Sequence, residues 1–158
     1  MATQLVMYEE EFSKINAVCD RLTKDANAKV VFLVDKNGQL ISASGQTQNI
    51  DTTSLASLTA GNVAAMGGLA KLIGENEFPH QFHEGAKDSL YMTIVGSRVV
   101  LVVIFDNRTS LGLVRLRIKK ASDELTKIFD SLVKKTDSGA SSPFAEISDD
   151  DIDNLFSE

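Results

Sequence analysis

One run of eight residues, Arg98 to Phe105, constrains the fold more strongly than any other part of this chain. It reads Arg-Val-Val-Leu-Val-Val-Ile-Phe, so seven successive side chains are apolar. Successive side chains of a β-strand point to opposite faces of the sheet, so a strand that is apolar on both faces has to be covered on both sides. The run therefore predicts a central strand inside a layered structure.

Seven further elements follow from the spacing of apolar residues and from turn signals. In the first helix, apolar residues recur at intervals of four and three and predict one buried face; they are Tyr8, Phe12, Ile15, Cys19, Leu22 and Ala26. Because Cys19 lies on that face, we expect a buried thiol. The pair Asn37-Gly38 between two β-rich runs is typical of a hairpin, because both residues adopt positive φ readily. The predicted helices are 8–26, 51–74 and 111–132, and the predicted strands are 30–34, 40–43, 81–86, 90–95 and 98–105. The order α-β-β-α-β-β-β-α predicts an α/β (α+β) sandwich with a five-stranded antiparallel sheet.

Charge divides the 158 residues into a domain at 4–136 and an acidic tail at 137–158 that we expect to be flexible. The tail holds seven of the 22 acidic residues and none of the 16 basic ones, so the charges of the domain nearly balance. This distribution argues against nucleic-acid binding. The single cysteine excludes an internal disulfide and fits a reducing cytoplasm. We also find no run of about 18 apolar residues and no charged-then-apolar leader, so we expect no membrane insertion and no export.

No motif in the sequence predicts catalysis or metal binding. His80 and His83, the only histidines, have no Cys or carboxylate cluster at ligand spacing, so ordinary loop or strand positions are the better interpretation. The Gly-rich stretch 61–68 lacks the Gly-Lys-Ser/Thr ending with which a phosphate-binding loop holds phosphate and Mg²⁺. The stretch 149–153 lacks the central Gly and the bidentate Glu of a calcium-binding loop. We therefore expect no catalytic residue, metal or cofactor in this chain.

The predicted second helix has an unusual side made of small residues. At 100° per residue, the larger apolar side chains gather on one side, which we expect to face the core: Leu55, Leu58, Ala65, Met66, Leu69, Leu72 and Ile73. The opposite side consists of Ala56, Ser57, Ala60, Gly61, Ala64, Gly67, Gly68 and Lys71. Each interior Gly costs about 1 kcal/mol of helix stability relative to Ala, and small residues let another backbone approach closely. This side predicts a protein-docking surface, with a low-complexity helix as the alternative.

The tail carries signals for a short amphipathic helix at about 148–156. Ser148 and Asp151 form a capping box, and Ile147 and Ile152 occupy the positions of a hydrophobic staple. Isolated helices shorter than about 12–15 residues are marginal in water, so we expect this one to form on a partner. A solubilising acidic tail is the alternative. The residues predicted to bind are Phe144, Ile147, Ile152, Leu155 and Phe156.

Two stretches resemble the Roadblock/dynein-light-chain family. They are SLASLTAGNVAAMGGLAKLIGE in the second helix and VVLVVIFDNRTSLGLVRLRIKKASDEL, which runs from the central strand into the last helix. Together with the order of the eight elements, the resemblance extends from Gln4 to Glu158. It implies strand order 2-1-5-4-3, with the second helix on one face of the sheet and the other two helices on the opposite face. It also implies a homodimer joined through the second helix and the third strand.

The resemblance further implies a function in bacterial cell polarity and gliding motility. The chain would be a GTPase-activating protein, a regulator without catalytic residues of its own, that binds a Ras-like small GTPase in its GTP form. Activation would reposition the GTPase's own switch residues without an arginine finger, and GTP and Mg²⁺ would be carried by the GTPase. The implied location is the cytoplasm, concentrated at a cell pole. The residues implied in GTPase docking or dimerisation are Ala56, Ala60, Ala64, Gly67, Gly68 and Lys71.

Several alternatives to this function remain open. Arg108, in the loop before the last helix, is the one arginine placed to act as a finger. The protein could instead be a Roadblock scaffold that holds a GTPase without activating it, or a domain that binds a nucleotide through the Gly-rich second helix. Whether the tail promotes nucleotide exchange is not decided by the sequence.

Overall fold

The computed structural model describes residues 9–138, and within that range three helices and five strands follow one another in the predicted order. The helices are α1 (Glu9–Asp25), α2 (Thr52–Leu72) and α3 (Leu111–Ser138). The strands are β1 (Val30–Asp35), β2 (Leu40–Gly45), β3 (His80–Glu84), β4 (Ser89–Val95) and β5 (Val99–Phe105). The tail positions Phe144, Ile147, Ile152, Leu155 and Phe156 lie outside the described residues.

All five strands form one antiparallel sheet in the order β2-β1-β5-β4-β3, as predicted. The central position of β5 is also confirmed, since Leu101 is paired with Leu33 of β1 on one side and with Thr93 of β4 on the other. Residues 99–103 of β5 are buried without interruption. The apolar run at 98–105 is therefore explained by burial on both faces of the sheet.

Each face of the sheet has its own hydrophobic core. On one face, Leu33, Leu101 and Val103 pack in a cluster with apolar side chains of α1 and α3. On the other face, the side chains of the alternate strand positions pack under α2; these are chiefly Val30, Phe32, Val34, Met92, Val100 and Val102. Cys19 belongs to the first core, is fully buried, and has its thiol pKa raised to about 11, chiefly by that burial.

The β1–β2 hairpin closes at the predicted place, with a different turn from the one that Asn37-Gly38 suggested. The Asp35 carboxylate accepts hydrogen bonds from the backbone N–H of Asn37 (2.9 Å) and of Gln39 (3.2 Å). Gly38 is at φ +93°, whereas Asn37 is not at positive φ. One glycine at positive φ is sufficient to reverse the chain here, because the hydrogen bonds to Asp35 form an Asx turn that orients the residues before Gly38.

Both ends of α2 carry the caps that the sequence predicts. At the start, Asp51 accepts a hydrogen bond from the N–H of Ser54 (3.2 Å), and this bonding to Ser54 lowers the pKa of the Asp51 carboxyl. At the end, Gly74 at φ +86° bonds to the carbonyl of Lys71, and Glu75 bonds to that of Ala70. This pair of bonds is a Schellman motif, which fixes the length of the helix.

Candidate functional site

The fully buried residues on the side of α2 that packs on the sheet have small side chains, and Leu55 and Val63 pack beside them. Ala56 is 1% exposed, and Thr59 and Ala70 are also buried. Ala56 packs in one cluster with the larger side chains of Phe32, Val34 and others on the sheet. Because the sheet supplies the bulk, small residues on the helix let the two surfaces approach without leaving a void.

Four of the larger apolar residues of α2 and of its C-cap face outward, so the prediction that they face the core is wrong for them, whereas Leu55 packs against the core as predicted. Leu58 is 73% exposed, Leu72 is 85% exposed, and Leu69 and Ile73 are also exposed. The helix is apolar or small nearly all round, so the 3.6-residue period did not identify a single buried side. A helix of this kind is typical of one that is buried on two sides, of which the sheet covers only one.

Because of this orientation of α2, the six residues predicted for docking differ in how far they are exposed. Ala64, Gly68 and Lys71 are exposed, Ala60 and Gly67 are half-buried, and Ala56 lies in the core against the sheet. The expectation that the small-residue side lies wholly away from the core is therefore wrong at Ala56. Docking through the remaining positions stays a prediction.

Part of the small-residue side serves the hairpin turn of β1 and β2. A Cβ atom placed on Gly38 would lie 3.6 Å from Cα of Ser57 and 3.7 Å from Cβ of Ala60. The turn thus packs closely against the first half of α2. In contrast, a Cβ placed on Gly61 or Gly68 meets nothing within 4 Å, so these two glycines border open space.

We call the exposed side of α2 the outer face, and it carries no charge. It joins the large exposed apolar residues to a strip of small ones, and its members are Leu58, Gly61, Ala64, Ala65, Gly68, Leu69 and Leu72. Lys71 lies at its border. An exposed apolar surface of leucines, glycines and alanines marks a place where another protein packs.

The outer face continues towards the open edge of the sheet. A shallow hollow between α2 and β3 is lined by Met66 and Gly67 of the helix and by Phe78 and Gln81 at the edge. Within residues 9–138, β3 pairs only with β4, so its other edge has free backbone N–H and C=O groups. An unpaired edge strand is a template for another strand.

Arg108 is held on its own loop. Its Nε donates a hydrogen bond of 3.0 Å to Oδ1 of Asp106, and its carbonyl accepts one of 3.0 Å from Nδ2 of Asn27. The hydrogen bond from Arg108 is the main reason why the pKa of Asp106 is lowered. The segment Thr52–Leu72 contains no arginine, so the outer face itself offers no guanidinium group.

The two histidines make local contacts at the β3 edge. Nδ1 of His80 lies 3.0 Å from Oγ1 of Thr93, and Nε2 of His83 lies 3.3 Å from Oε1 of Gln81. Between residues 9 and 138, no group of three or more His, Cys, Asp or Glu side chains is placed to hold a metal ion. Over the same range no helix combines the length and apolarity needed to cross a membrane.

An uncharged apolar helix face beside an open sheet edge is the site of a protein-interaction domain. The family comparison agrees with this class: residues 14–105 match the model of the Roadblock/LC7 domain, and the chain belongs to that family.

Solved structures of MglB proteins resemble the chain over most of its length. Myxococcus xanthus MglB is 96% identical, covers 84% of this chain with all of its own, and superposes with a TM-score of 0.79. The gliding protein MglB from Thermus thermophilus is 30% identical over 83% of this chain and 99% of its own, with a TM-score of 0.76. An MglB with a tetrameric arrangement is 29% identical over 84% of this chain and 99% of its own, with a TM-score of 0.78. The chain therefore resembles MglB proteins over most of its length, and the name of the Thermus thermophilus protein links that relative to gliding.

Proposed function

We propose that the protein is a homodimeric GTPase-activating protein for a Ras-like small GTPase of the MglA type, in bacterial cell polarity and gliding motility. The observation that carries the proposal is the outer face of α2, an apolar surface left uncovered in a chain that is 96% identical to an MglB over most of its length. We place the protein in the cytoplasm, concentrated at a cell pole, where the resemblance to MglB implies that it acts.

Dimerisation uses part of the outer face together with β3. A twofold axis beside β3 pairs this edge with its own copy and brings the two α2 helices together on one face of the joined sheet. The small residues Gly61, Ala64 and Gly68 permit close approach of a partner backbone, and the leucines beside them supply apolar area. The tetrameric arrangement of one MglB relative supports self-association as a property of this type of chain.

GTPase activation does not require a side chain from this protein at the phosphates. GTP hydrolysis needs an aligned water and compensation of charge, and a trans arginine is one of several ways to supply them. The outer face has no arginine, and Arg108 is paired with Asp106. The surface therefore acts as a clamp that favours the competent arrangement of the GTPase's switch loops, and a preference of a few kcal/mol is sufficient for a large population shift.

The tail adds a second contact with the GTPase. The predicted helix at 148–156 presents Ile152, Leu155 and Phe156 on one side. The segment before it is long enough to let this helix contact another face of a bound GTPase. Because the tail is tethered to a docked domain, even a weak contact raises the apparent affinity.

Single-turnover GTP hydrolysis by a purified MglA-type GTPase, with and without the full-length protein, tests the proposal. We expect a faster rate at saturating protein. Binding of the GTP form without acceleration would contradict it and would favour the scaffold function instead. A thermal shift of the isolated protein with GTP or GDP would contradict it in favour of nucleotide binding on α2.

A further inference from the structure

A groove separates α3 from β4 on the sheet face opposite α2. Its volume is about 470 Å³. The floor includes Tyr91 and Val95 of β4 and Ile118 of α3, and the rim on α3 carries Arg115, Lys119 and Asp123. We call this feature the α3–β4 groove. It lies on the opposite side of the sheet from the outer face, so it is separate from the docking surface described above.

The α3–β4 groove has unpartnered polar groups along one side of α3. Arg115 and Lys119 are exposed, and neither makes an ion pair or hydrogen bond within the described part of the chain. The hydroxyl of Ser122 is buried and has no hydrogen-bond partner among residues 9–138. These three residues are spaced by four and three, so they lie on one side of the helix. An apolar floor with free basic groups on its rim fits an acidic amphipathic segment.

The chain supplies a segment of this chemistry directly after α3. Residues 142–156 contain five large apolar residues and five of the seven acidic residues of the tail, and no basic residue. The order of charges also agrees. If the chain turns back after Ser138, its mostly apolar stretch at 144–147 lies beside Asp123. The acidic residues Asp149–Asp151 then lie beside Lys119 and Arg115.

The lengths match this path. Along the axis of α3, Lys119 is about 28 Å and Arg115 about 35 Å from Ser138, at 1.5 Å per residue. Residues 139–147 span about 30 Å when extended, so the predicted helix at 148–156 can begin beside Lys119. The groove spans about 17 Å from Arg115 to Thr126, and residues 143–147 cover about that length when extended, so they can lie along it before the helix begins.

We propose that the α3–β4 groove holds this chain's own tail, with Phe144 and Ile147 on its floor and Asp149–Asp151 at Arg115 and Lys119. The tail then has two binding sites, one on its own domain and one on a partner. Occupancy of the groove is a resting state that a partner has to displace. The inference does not rest on the proposed function, because its test contains no GTPase.

Paramagnetic relaxation measured on the full-length protein tests the proposal. Ser157→Cys provides a site for a nitroxide label, and Cys19 does not react because it is buried and its thiol pKa is raised to about 11. We expect loss of amide signals from Tyr91–Val95 and from 115–126, with signals of β2 unaffected. Broadening spread evenly over the domain, or confined to other elements, would overturn the proposal.

Two sets of variants make the result specific. The double variant Arg115→Glu, Lys119→Glu and the double variant Phe144→Ala, Ile147→Ala should each restore the lost signals, and the same spectra report whether the domain is folded. The matched control Lys127→Glu, Lys134→Glu makes the same change of charge on α3 outside the groove and should leave the broadening in place. If the control restores the signals equally, the contact is unspecific electrostatic attraction and the proposal fails.

A mixed sample decides which copy supplies the tail. Spin-labelled protein without isotope label is mixed with isotope-labelled protein without the spin label. We expect little broadening in this sample. The comparison is with protein that carries the spin label and the isotope label on the same chain. If the groove signals of the mixed sample broaden as strongly, the tail of a second copy lies in the groove, and the assignment to the same chain is overturned.

Discussion

Lys135 near the end of α3 donates a hydrogen bond of 2.5 Å from Nζ to Oε1 of Glu11 in the first turn of α1. The Glu11 side chain is only 4% exposed, and its Oε2 has no hydrogen-bond partner among residues 9–138. Lys135 thus compensates a carboxylate that is almost fully withdrawn from water, and it joins the first helix of the domain to the last.

The first prediction removes this ammonium group. Lys135→Met keeps the aliphatic chain and leaves the Glu11 carboxylate without its donor, so we expect a loss of about 1–3 kcal/mol in the free energy of unfolding. Urea denaturation measures it. Lys134→Met is the control, since Lys134 is exposed and is the neighbouring residue on the same helix. Equal midpoints for the two variants would contradict the role of the pair.

The second prediction concerns pH. The hydrogen bond from Lys135 is the largest cause that lowers the pKa of Glu11 from its ordinary 4.5. The unfolded chain therefore takes up the proton first, so this contribution to stability is present above about pH 4.5 and is lost as pH falls through the folded value. Urea denaturation from pH 7 to pH 3 should show the stability difference between wild type and Glu11→Gln shrinking at the acid end. A difference that stays constant over this range would contradict the assignment.

The sequence predicted the sheet well because its signals are local and unambiguous. The apolar run at 98–105 identified the central strand, and Asp51 and Gly74 marked the ends of α2. Phe12, on the predicted buried stripe of α1, is nevertheless 41% exposed. Glu11, beside it, is buried instead because the end of α3 passes over it, which is a tertiary contact without a local signal.

The orientation of α2 could not be predicted from periodicity. Leu58 and Leu72 are as apolar as core residues, and only the bulk of Phe32 and its neighbours on the sheet explains why Ala56 is buried in their place. The signal that was available is the near absence of charge around the helix, which indicates two buried sides. The α3–β4 groove depends on the gap between two elements and also has no signature in the sequence.

The third prediction separates the two sides of α2. Leu72→Asp places a charge on the outer face, so it should leave the domain folded and convert the dimer to monomer, because the charge would be buried unpaired at the interface. Ala56→Asp buries the same charge against the sheet and should prevent folding. Sedimentation velocity at micromolar concentration and circular dichroism measure the two effects. A wild-type protein that sediments as a monomer would contradict the dimer.

The fourth prediction concerns the tail. Deletion of residues 142–158 removes no residue of the sheet or of α1 to α3, so the domain should stay folded and dimeric, and activation at saturating concentration should persist. Apparent affinity for the GTPase should fall by about five- to a hundredfold. This corresponds to a net binding free energy of about 1–3 kcal/mol, which is the gain from burying the apolar side chains minus the entropy cost of ordering the tail. Leu155→Ala, Phe156→Ala should reproduce most of the loss, and Asp149→Asn should have a much smaller effect. Unchanged affinity and unchanged nucleotide exchange after the deletion would leave the tail a solubilising segment.

The central claim is that the outer face of α2 activates the GTPase, and the single-turnover rate of GTP hydrolysis measured with outer-face variants tests it most directly. Wild type should accelerate hydrolysis, whereas Ala64→Arg and Gly68→Arg should abolish the acceleration, through loss of GTPase docking or of dimerisation, while the circular dichroism spectrum stays unchanged, because a long charged side chain prevents close approach. Lys134→Glu, a change of charge on α3, should accelerate hydrolysis as wild type does. Full acceleration by both Ala64→Arg and Gly68→Arg would contradict the claim.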